Sequence, residues 1–408
     1  MPEQLRNPLF EAYNKNEYAG KGWNELKVLM IPSWYPTAEA PLLGTFYKEQ
    51  AEALAARGVD VAVAYVNVTG DLHPGVHGIR CEKINGVPTY RYTHPNWTPR
   101  LESGRCWQRT RMLRRLYKRI DREWGRPDVV NLRSSLQGYE VMELCRRENL
   151  PLFFMEHSSY VITEPEDGLI HKRLREVMAA AAVNACVSSA VRRVMEPYGE
   201  TRVIPDIVDG ERFHPLEFPR DYDGFLFRAM GQLRPIKGYD VLIDAFIRLK
   251  GRTDRPVRLE IAGAGGLREG LQRRIDEGGV GECCRLVGTI PRDKAVEYMN
   301  GCDCFVCSSR TETLSCVLNE SAACGKPLIS TRCGGPADII TKANGLLVPP
   351  DDPDALAEAM LEMMDKAAAY DGGKIREETL RKFGADAVCG QLMQACEDAV
   401  RIGRGRIA

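Results

Sequence analysis

The sequence predicts an α/β protein made of two Rossmann-like domains that face one another across a cleft. Its 408 residues exceed a single ordinary core and suggest two or three domains at about 150 residues each. Short apolar segments rich in Val, Ile, Leu and Cys alternate with longer amphipathic stretches, which is typical of βα units around parallel sheets. The alternation restarts after the polar, proline-containing stretch 206–224, so two such sheets are expected.

The first half supplies six strands, a hairpin and a clear first helix. The strands are predicted at 26–34, 59–66, 128–134, 152–157, 181–188 and 202–206. Asn85-Gly86 lies between two alternating segments and predicts a tight hairpin turn. Strong helix formers occupy 45–57, and Gly58 suits the position just after a helix end.

The second half repeats this organisation. Its strands are predicted at 224–233, 257–265, 283–288, 302–309, 326–331 and 345–350, and its helices near 238–250, 267–277, 292–300, 316–324 and 353–369. A last amphipathic helix is predicted over 382–405. We therefore divide the chain into an arm (1–24), a first domain (25–206), a second domain (207–385) and a C-terminal helix (386–408).

Composition limits the classes of partner and compartment. Lys plus Arg equals Asp plus Glu, so nothing indicates a general attraction for nucleic acid. The 14 cysteines lack paired zinc-site spacings and lie in apolar runs, which indicates a reducing compartment and, for 302, 304 and 307, core packing. No apolar run approaches the about 20 residues of a spanning helix. We expect a soluble cytoplasmic protein, or one peripheral to the inner face of a membrane.

Two strand-to-helix turns of the second half could hold a phosphate. Lys237 precedes the helix that begins near Gly238, where free N–H groups and the helix dipole favour an anion; a solvated turn lysine is the alternative. The glycine-rich turn 261–271 is of the same kind and makes Gly265 a candidate for binding the same ligand. Glycines also serve tight turns and close packing, so a purely backbone role is the alternative there.

Two glutamates follow the predicted strand 302–309. Glu312 lies in the loop at its carboxyl end, where ligands of open α/β sheets bind, and Glu320 lies on the helix that this loop opens. A carboxylate in the loop can accept hydrogen bonds from sugar hydroxyls, and one on the helix can hold the vicinal hydroxyls of a ribose. Two solvated surface acids are the alternative.

The stretch "ETLSCVLNESAACGKPLISTRCGGPADII" (312–340) resembles the E-x7-E region of the family 4 glycosyltransferases. These are retaining enzymes of the GT-B fold that use nucleotide-activated sugars. Four further stretches are similar to other parts of that family in the same order: 31–66, 154–161, 203–215 and 344–360. The resemblance implies a GT-B fold in which the C-terminal helix crosses back to the first domain.

The resemblance implies roles for charged residues of the second domain. Glu312 matches a glutamate that contacts the transferred sugar, and Glu320 matches one that binds the nucleotide ribose. Lys237 matches the lysine that neutralises the diphosphate. Gln232 stands where the family has an arginine, so either Arg234 replaces that charge or the leaving group is held less firmly.

Backbone and first-domain positions are implied in the same way. The turn after the first glutamate would meet the donor through the amides of Thr313, Leu314 and Ser315, with Ser315 in place of a glycine. Gly44 matches a loop glycine that approaches the donor, and His157 a histidine that hydrogen-bonds the transferred sugar. A structural role at a strand end is the alternative for His157.

The implied reaction is retaining transfer of a sugar from a nucleoside diphosphate, most simply UDP or GDP, to a glycan or lipid-linked acceptor in cell-surface polysaccharide biosynthesis. It needs no cofactor and no metal ion. Retention by two displacements requires a carboxylate nucleophile, for which Glu156 is a candidate only by its place beside His157. A same-face route requires none.

Other functions stay open at this point. They are a nucleotide-sugar epimerase, a non-catalytic nucleotide-sugar-binding subunit and, with least support, a nicotinamide-dependent dehydrogenase. The basic stretch 109–125 predicts a helix with one apolar side. Its other side is either simply solvated or contacts anionic lipid or a lipid-linked phosphate acceptor.

Overall fold

The computed structural model describes residues 26–69, 77–97, 101–217 and 222–405, without the side chains of 404 and 405. The predicted arm 1–24 and part of the linker 206–224 lie outside the described residues. The described chain forms two sheets, as the sequence predicts. The exact domain boundaries stay a prediction.

The first sheet has eight strands in the order β3-β4-β2-β1-β5-β6-β7-β8. All pair in parallel except β3, which is antiparallel to β4. Asn85 and Gly86 both have positive φ in the β3–β4 turn, as the predicted hairpin requires. The strands are β1 (Lys27–Pro32), β2 (Asp60–Thr69), β3 (Gly78–Ile84), β4 (Val87–Pro95), β5 (Val129–Arg133), β6 (Leu152–Glu156), β7 (Val183–Cys186) and β8 (Arg202–Val203).

The second sheet has six parallel strands in the order β11-β10-β9-β12-β13-β14. They lie inside the predicted ranges but are shorter. Four of them, β9, β10, β12 and β14, end earlier than predicted, where the loops at the carboxyl edge begin. The strands are β9 (Phe225–Met230), β10 (Val257–Ala262), β11 (Cys284–Gly288), β12 (Cys304–Cys307), β13 (Leu328–Thr331) and β14 (Gly345–Val348). Cys302, Cys304 and Cys307 are buried, which confirms their predicted core packing.

Helices connect the strands on both faces of each sheet. In chain order they are α1 (Thr45–Ala56), α2 (Glu102–Glu123), α3 (Gly138–Glu148), α4 (Tyr160–Thr163), α5 (Leu169–Ala180), α6 (Ser189–Met195), α7 (Tyr239–Lys250), α8 (Arg268–Glu277), α9 (Ala295–Asn300), α10 (Cys316–Ala323), α11 (Pro336–Ile339), α12 (Pro353–Lys366), α13 (Gly372–Phe383) and α14 (Ala385–Gly405). No helix in the described ranges is long and apolar enough to cross a membrane.

The strand order reverses at one point in each sheet. In the first sheet β1 lies between β2 and β5, and in the second β9 lies between β10 and β12. Loops that leave the carboxyl ends of two such neighbouring strands run to opposite faces and open a crevice between them. The turns after β1 and after β9 and β12 contain Gly44, Lys237 and Glu312, so the fold places the candidate residues at these crevices.

The C-terminal helix packs on the first domain, as predicted. Its apolar residues Val388, Leu392 and Cys396 are buried, the helix packs against β5, β6 and β7, and Arg202 pairs with Asp398 at 2.7 Å. The predicted single helix over 382–405 is wrong at its start, since α13 and α14 are separate. They meet at Gly384, which bridges to Val208 in the interdomain segment.

Candidate functional site

Lys237 and Glu312 form a direct ion pair at the carboxyl edge of the second sheet. Lys237 Nζ donates to Glu312 Oε1 at 2.5 Å, and Ser309 Oγ donates to the same oxygen at 2.7 Å. Burial alone would lower the pKa of Lys237, but the Glu312 carboxylate outweighs it and raises that pKa above its ordinary value. The pair therefore presents a charged lysine beside an oriented carboxylate.

Glycines let the loops around this pair approach one another closely. A Cβ on Gly238, where α7 begins, would lie 2.1 Å from the Ser308 carbonyl oxygen. A Cβ on Gly334 would lie 2.4 Å from the carbonyl oxygen of Glu312, and the N–H of Gly335 donates to that carbonyl at 3.0 Å. The backbone of Glu312 is thus fixed from the β13–α11 turn as well as from its own loop.

The turn after Glu312 leads directly into α10. Ser315 has φ 88°, a conformation that favours glycine, so its position explains why a glycine is usual there. No side chain caps the start of α10, which leaves the first N–H groups of the helix open to an anion. Leu314 is buried in the core and Thr313 is half-buried, so both fix the turn. Donor contact by these amides stays a prediction.

The other second-domain candidates divide into two groups. Gln232 and Arg234 are exposed, and within the described residues neither side chain has a hydrogen-bond partner. Gly265 has φ 158°, and a Cβ on it would lie 2.4 Å from the Leu233 carbonyl oxygen. Gly265 therefore permits a close backbone contact, because a side chain at this position would collide with the loop between β9 and α7. Its contact with a donor stays a prediction.

On the first domain, Gly44 begins α1 with φ 70°. A Cβ there would lie 2.5 Å from the carbonyl oxygen of Trp34, so the loop after β1 can fold back only with glycine at this position. The next residues of α1 pack on His157, with the Phe46 ring centroid at 5.6 Å and the Tyr47 centroid at 4.8 Å. Gly44 and His157 are therefore neighbours through α1.

The imidazole of His157 lies between protein groups on both sides. Its Nδ1 is 3.2 Å from Asp206 Oδ1, and its Nε2 faces Arg133 Nη1 at 3.3 Å. Because arginine only donates, Nε2 is the acceptor and the ring proton is on Nδ1. Burial lowers the pKa of His157, although Asp206 opposes this. The ring is thus held neutral in one tautomer, and its contact with a sugar stays a prediction.

Glu156, beside His157, is fully engaged by the protein. One carboxylate oxygen accepts from the N–H and Oγ of Ser135 at 2.9 and 2.6 Å. The other accepts from the N–H groups of His157 and Ser158, both at 2.8 Å. The side chain is buried, and four donors leave no free lone pair directed at a substrate. Glu156 therefore orders the loop after β6 and does not serve as a nucleophile.

Glu320 joins an ion-pair network that spans the two domains. Arg292, which precedes α9, binds Glu320 Oε1 at 2.6 Å and Glu49 Oε1 of α1 at 2.9 Å. Arg212 of the interdomain segment also binds Glu49, at 2.7 Å. The side chains of Glu49 and Glu320 are 14% and 6% exposed, so their pairs with Arg292 are shielded from solvent and salt more than surface pairs.

A pocket of about 400 Å³ opens beside this network, between the loop after β1 and the start of the α9 segment. It lies within the size range of small-molecule sites. Its lining comes from both domains and includes Leu42, Thr45, Lys48, Glu49, Arg212 and Arg292. Residues of α1 thus line the pocket. Phe46 and Tyr47 of the same helix pack on His157, and Glu49 is linked to Glu320 through Arg292.

Sequence families divide the chain as its sheets do. The family described as "Glycosyltransferase Family 4" matches residues 43–212, and "Glycosyl transferases group 1" matches 215–380. The two matches adjoin and contain every candidate site residue. The chain belongs to glycosyltransferase family 4. It is a retaining GT-B glycosyltransferase that transfers a sugar from a nucleotide-sugar donor.

The glycosyltransferase is similar to named relatives over most of its length. It is 26% identical over 385 residues to D-inositol 3-phosphate glycosyltransferase of Acidothermus cellulolyticus, covering 85% of this chain and 84% of the relative. It is 27% identical over 376 residues to glycogen synthase of Mycobacterium tuberculosis, covering 84% and 87%. These relatives act on different acceptors by name, so family membership leaves the acceptor open.

Solved structures share the fold of this glycosyltransferase. Sucrose-phosphate synthase from Thermosynechococcus elongatus superimposes with a TM-score of 0.72 at 20% identity, covering 90% of this chain and 98% of the other. Anabaena HepE, solved in complex with UDP-glucose, gives 0.67 at 17% identity, covering 91% and 99%. At these identities the likeness establishes the GT-B fold.

Several residues of the glycosyltransferase site were missed by sequence reasoning. Asp206 meets His157 and Arg292 meets Glu320 across loops far apart in sequence, and Glu49 meets Arg292 only when the two domains adjoin. No local pattern marks these residues. Arg133 was missed because arginine inside a strand is not an expected core residue, yet it is fully buried and burial lowers its pKa to about 10. The Gly334-Gly335 pair after β13 was a usable local signal.

Proposed function

We propose that the enzyme transfers a sugar from UDP or GDP to a hydroxyl of a glycan or lipid-linked acceptor in cell-surface glycan biosynthesis. The observation that carries this proposal is the Lys237–Glu312 pair at the crevice of the second sheet, with Gly44 and His157 at the crevice of the first. A lysine next to an oriented carboxylate suits a ligand that joins a diphosphate to a polyol. The UDP-glucose bound to Anabaena HepE supports a donor of this class.

The donor lies along the second domain in this proposal. Lys237 neutralises the diphosphate, helped by Arg234, whose guanidinium is unpaired among the described residues, while Gln232 offers only neutral bonds. Glu312 accepts hydrogen bonds from the transferred sugar, and Glu320 from the ribose. Further contacts come from the backbone at Gly44, Gly265, Thr313, Leu314 and Ser315.

A same-face transfer fits the side chains better than a double displacement. The bond from the anomeric carbon to the phosphate oxygen breaks, and the acceptor oxygen bonds to that carbon on the same face. The acceptor proton moves to the departing phosphate oxygen, so no protein nucleophile is required. Glu156 is saturated by four donors, which supports this route. Lys237 and the open N-terminus of α10 stabilise the charge on the leaving diphosphate.

The test begins with binding and proceeds to turnover. Thermal shifts with UDP, GDP, ADP and a nicotinamide dinucleotide identify the donor nucleotide. Release of nucleoside diphosphate from the matching sugar donors is then measured with and without acceptor hydroxyls. Glu320→Ala should lower kcat/KM at least about tenfold, whereas Glu362→Ala, an exposed partner of Lys366, should not.

Each other outcome favours one of the alternatives. Conversion of the donor with no acceptor present would indicate an epimerase. Binding of a nucleoside diphosphate without turnover on any acceptor would indicate a non-catalytic subunit. Unchanged rates in Glu320→Ala would overturn the assignment of the ribose site.

We further propose that the acceptor is met at an anionic membrane surface through α2. Its apolar side is buried, as predicted, whereas Arg114 is partly buried and pairs with Glu143 of α3. The exposed side carries a row at helical spacing, with the acids Asp121 and Glu123 exposed only in the last turn: Trp107, Arg111, Arg115, Lys118 and Arg122. Trp107, 57% exposed, lies in the first half of α2. A tryptophan next to a row of cations suits the headgroup region of a bilayer.

Vesicle sedimentation tests this surface. Binding to phosphatidylglycerol vesicles should exceed binding to phosphatidylcholine vesicles, because the stripe is cationic. The triple variant Arg111→Gln, Arg115→Gln, Lys118→Gln should lose about 2–3 kcal/mol of that binding, at about 1 kcal/mol per cation. Equal binding of both proteins to both vesicles would contradict the proposal, and transfer to a water-soluble acceptor serves as the control for folding.

A further inference from the structure

Arg292 is the hub of the interdomain network. Its Nη1 binds Glu320 Oε1 of the second domain at 2.6 Å. Its Nε and Nη2 bind Glu49 of the first domain at 3.2 and 2.9 Å, and its guanidinium lies 5.0 Å from the Phe213 ring centroid. A guanidinium carries its donors in a rigid plane, so engagement on both edges fixes its orientation.

Only one of the two carboxylate oxygens of Glu320 is bound by another residue in the described part of the chain. Arg292 holds Oε1, while Oε2 is buried and has no hydrogen-bond partner in the part of the chain that the structure describes. A buried carboxylate oxygen without a donor is costly, and such atoms are usually satisfied by water or a ligand. The unpartnered oxygen therefore points to hydroxyl donors that belong to a ligand.

Burial and the neighbouring charges act in opposite directions on Glu320. Burial raises the pKa of its carboxyl group, and the Arg292 guanidinium is the largest influence that lowers it. Glu49 raises it further and Arg212 lowers it. The thiols of Cys316 and Cys324 also face this carboxylate. Loss of Arg292 would consequently favour the protonated acid, which is a poorer acceptor for hydroxyls.

We propose that Arg292 is a positioning residue that orients the Glu320 carboxylate toward the donor ribose, and that Glu49 anchors Arg292 from the first domain. The inference rests on the proposed ribose role of Glu320. Donor binding then depends on a contact that exists only when the two domains adjoin, because Arg292 loses its Glu49 anchor when the cleft opens. The enzyme thus couples recognition of the nucleotide to closure of the cleft.

Steady-state kinetics test the inference. The substrate is the sugar donor whose nucleotide gives the largest thermal shift in the screen described under the proposed function. Arg292→Met should raise the donor KM about tenfold, the size of one charge-assisted hydrogen bond, with kcat changed less than about threefold. Arg292→Lys should raise KM less than Arg292→Met, because lysine keeps the positive charge but lacks the planar set of donors of the guanidinium. Glu49→Gln should give a smaller rise in KM. Arg274→Met, which removes an exposed pair with Asp244, is the matched control and should match the wild type.

The pH dependence separates positioning from a merely structural role. Protonation of Glu320 weakens donor binding at low pH. A plot of 1/KM against pH should therefore fall on its acid side, which we call the acid limb. In Arg292→Met that limb should move to higher pH, because the influence that lowers the Glu320 pKa is gone. In the double variant with Glu320→Gln, the Arg292→Met change should add nothing, since Arg292 acts through Glu320.

The results that would overturn the inference differ from those that would overturn the proposed function. If Glu320→Gln itself leaves the donor KM unchanged, the ribose assignment fails. If Glu320→Gln raises KM while Arg292→Met keeps the wild-type KM and acid limb, only the positioning role fails. Additive effects in the double variant would also refute it. Should Arg292→Met not fold, Arg292→Lys and Glu49→Gln with their pH profiles decide the question.

Discussion

Replacement of Lys237 by methionine gives the most direct test of the diphosphate site. Methionine keeps most of the length of the side chain and removes the charge. A hydrogen bond to a charged group contributes about 1.5–3 kcal/mol. Glu312, which is 12% exposed, would then face the diphosphate without its partner, at a further cost of about 1 kcal/mol. The total of about 2.5–4 kcal/mol corresponds to a fall of about 70- to 900-fold in kcat/KM.

The assay is release of the nucleoside diphosphate over a range of donor concentrations, with the unfolding midpoint measured in parallel. Lys366→Met removes an exposed lysine that pairs with Glu362 at 2.8 Å, so it controls for the general loss of a Lys–Glu pair. The double variant Lys237→Met, Glu312→Gln should regain stability, because no carboxylate is left unpaired, yet remain inactive. A folded Lys237→Met protein within threefold of wild-type kcat/KM would refute the reasoning.

Three further predictions concern the backbone and the buried histidine. Ser315→Gly should raise the free energy of unfolding by about 1 kcal/mol, since glycine accepts φ 88° without strain; a destabilised variant in urea titration would contradict this. Gly44→Ala should lower it by at least about 2 kcal/mol because its Cβ meets the Trp34 carbonyl, whereas Gly270→Ala, with nothing within 4 Å, should not. Burial depresses the pKa of His157 below 6.5 in the folded protein. As the pH falls, His157 is therefore protonated in the unfolded chain at a higher pH than in the folded protein. Stability is then lost as pH falls below about 6.5, and His157→Gln should flatten this part of the stability curve.

The fold was predictable because its pattern is local. Parallel strands buried on both faces give apolar runs such as 28–31 and 61–66, and each helix has a buried side. The strand pattern and the helix pattern can each be read from the sequence whatever the arrangement of the elements in space. The end of α13 was not predictable in this way. The break at Gly384 arises because its backbone bridges to Val208, almost 180 residues earlier in the chain.

The candidate site was predictable only in part. Glu312, Glu320, Lys237 and Gly44 lie in loops whose place after a strand can be read from the sequence. Their partners could not be read, because a partner depends on which loops adjoin in space. Lys237 meets Glu312 across 75 residues, and Glu49 meets Arg292 across 243.

The sequence alone therefore determined the two-domain α/β architecture, the family and the loops that contain the chemistry. Each of these follows from residue order and local periodicity. The tertiary structure decided how each charge is used. It removed Glu156 from the candidates for nucleophile by surrounding it with donors, held His157 neutral between Arg133 and Asp206, and tied Glu320 to the first domain through Arg292. Electrostatic and hydrogen-bond roles depend on distance and burial, which exist only once loops distant in the sequence, and for Arg292 the two domains, have packed together.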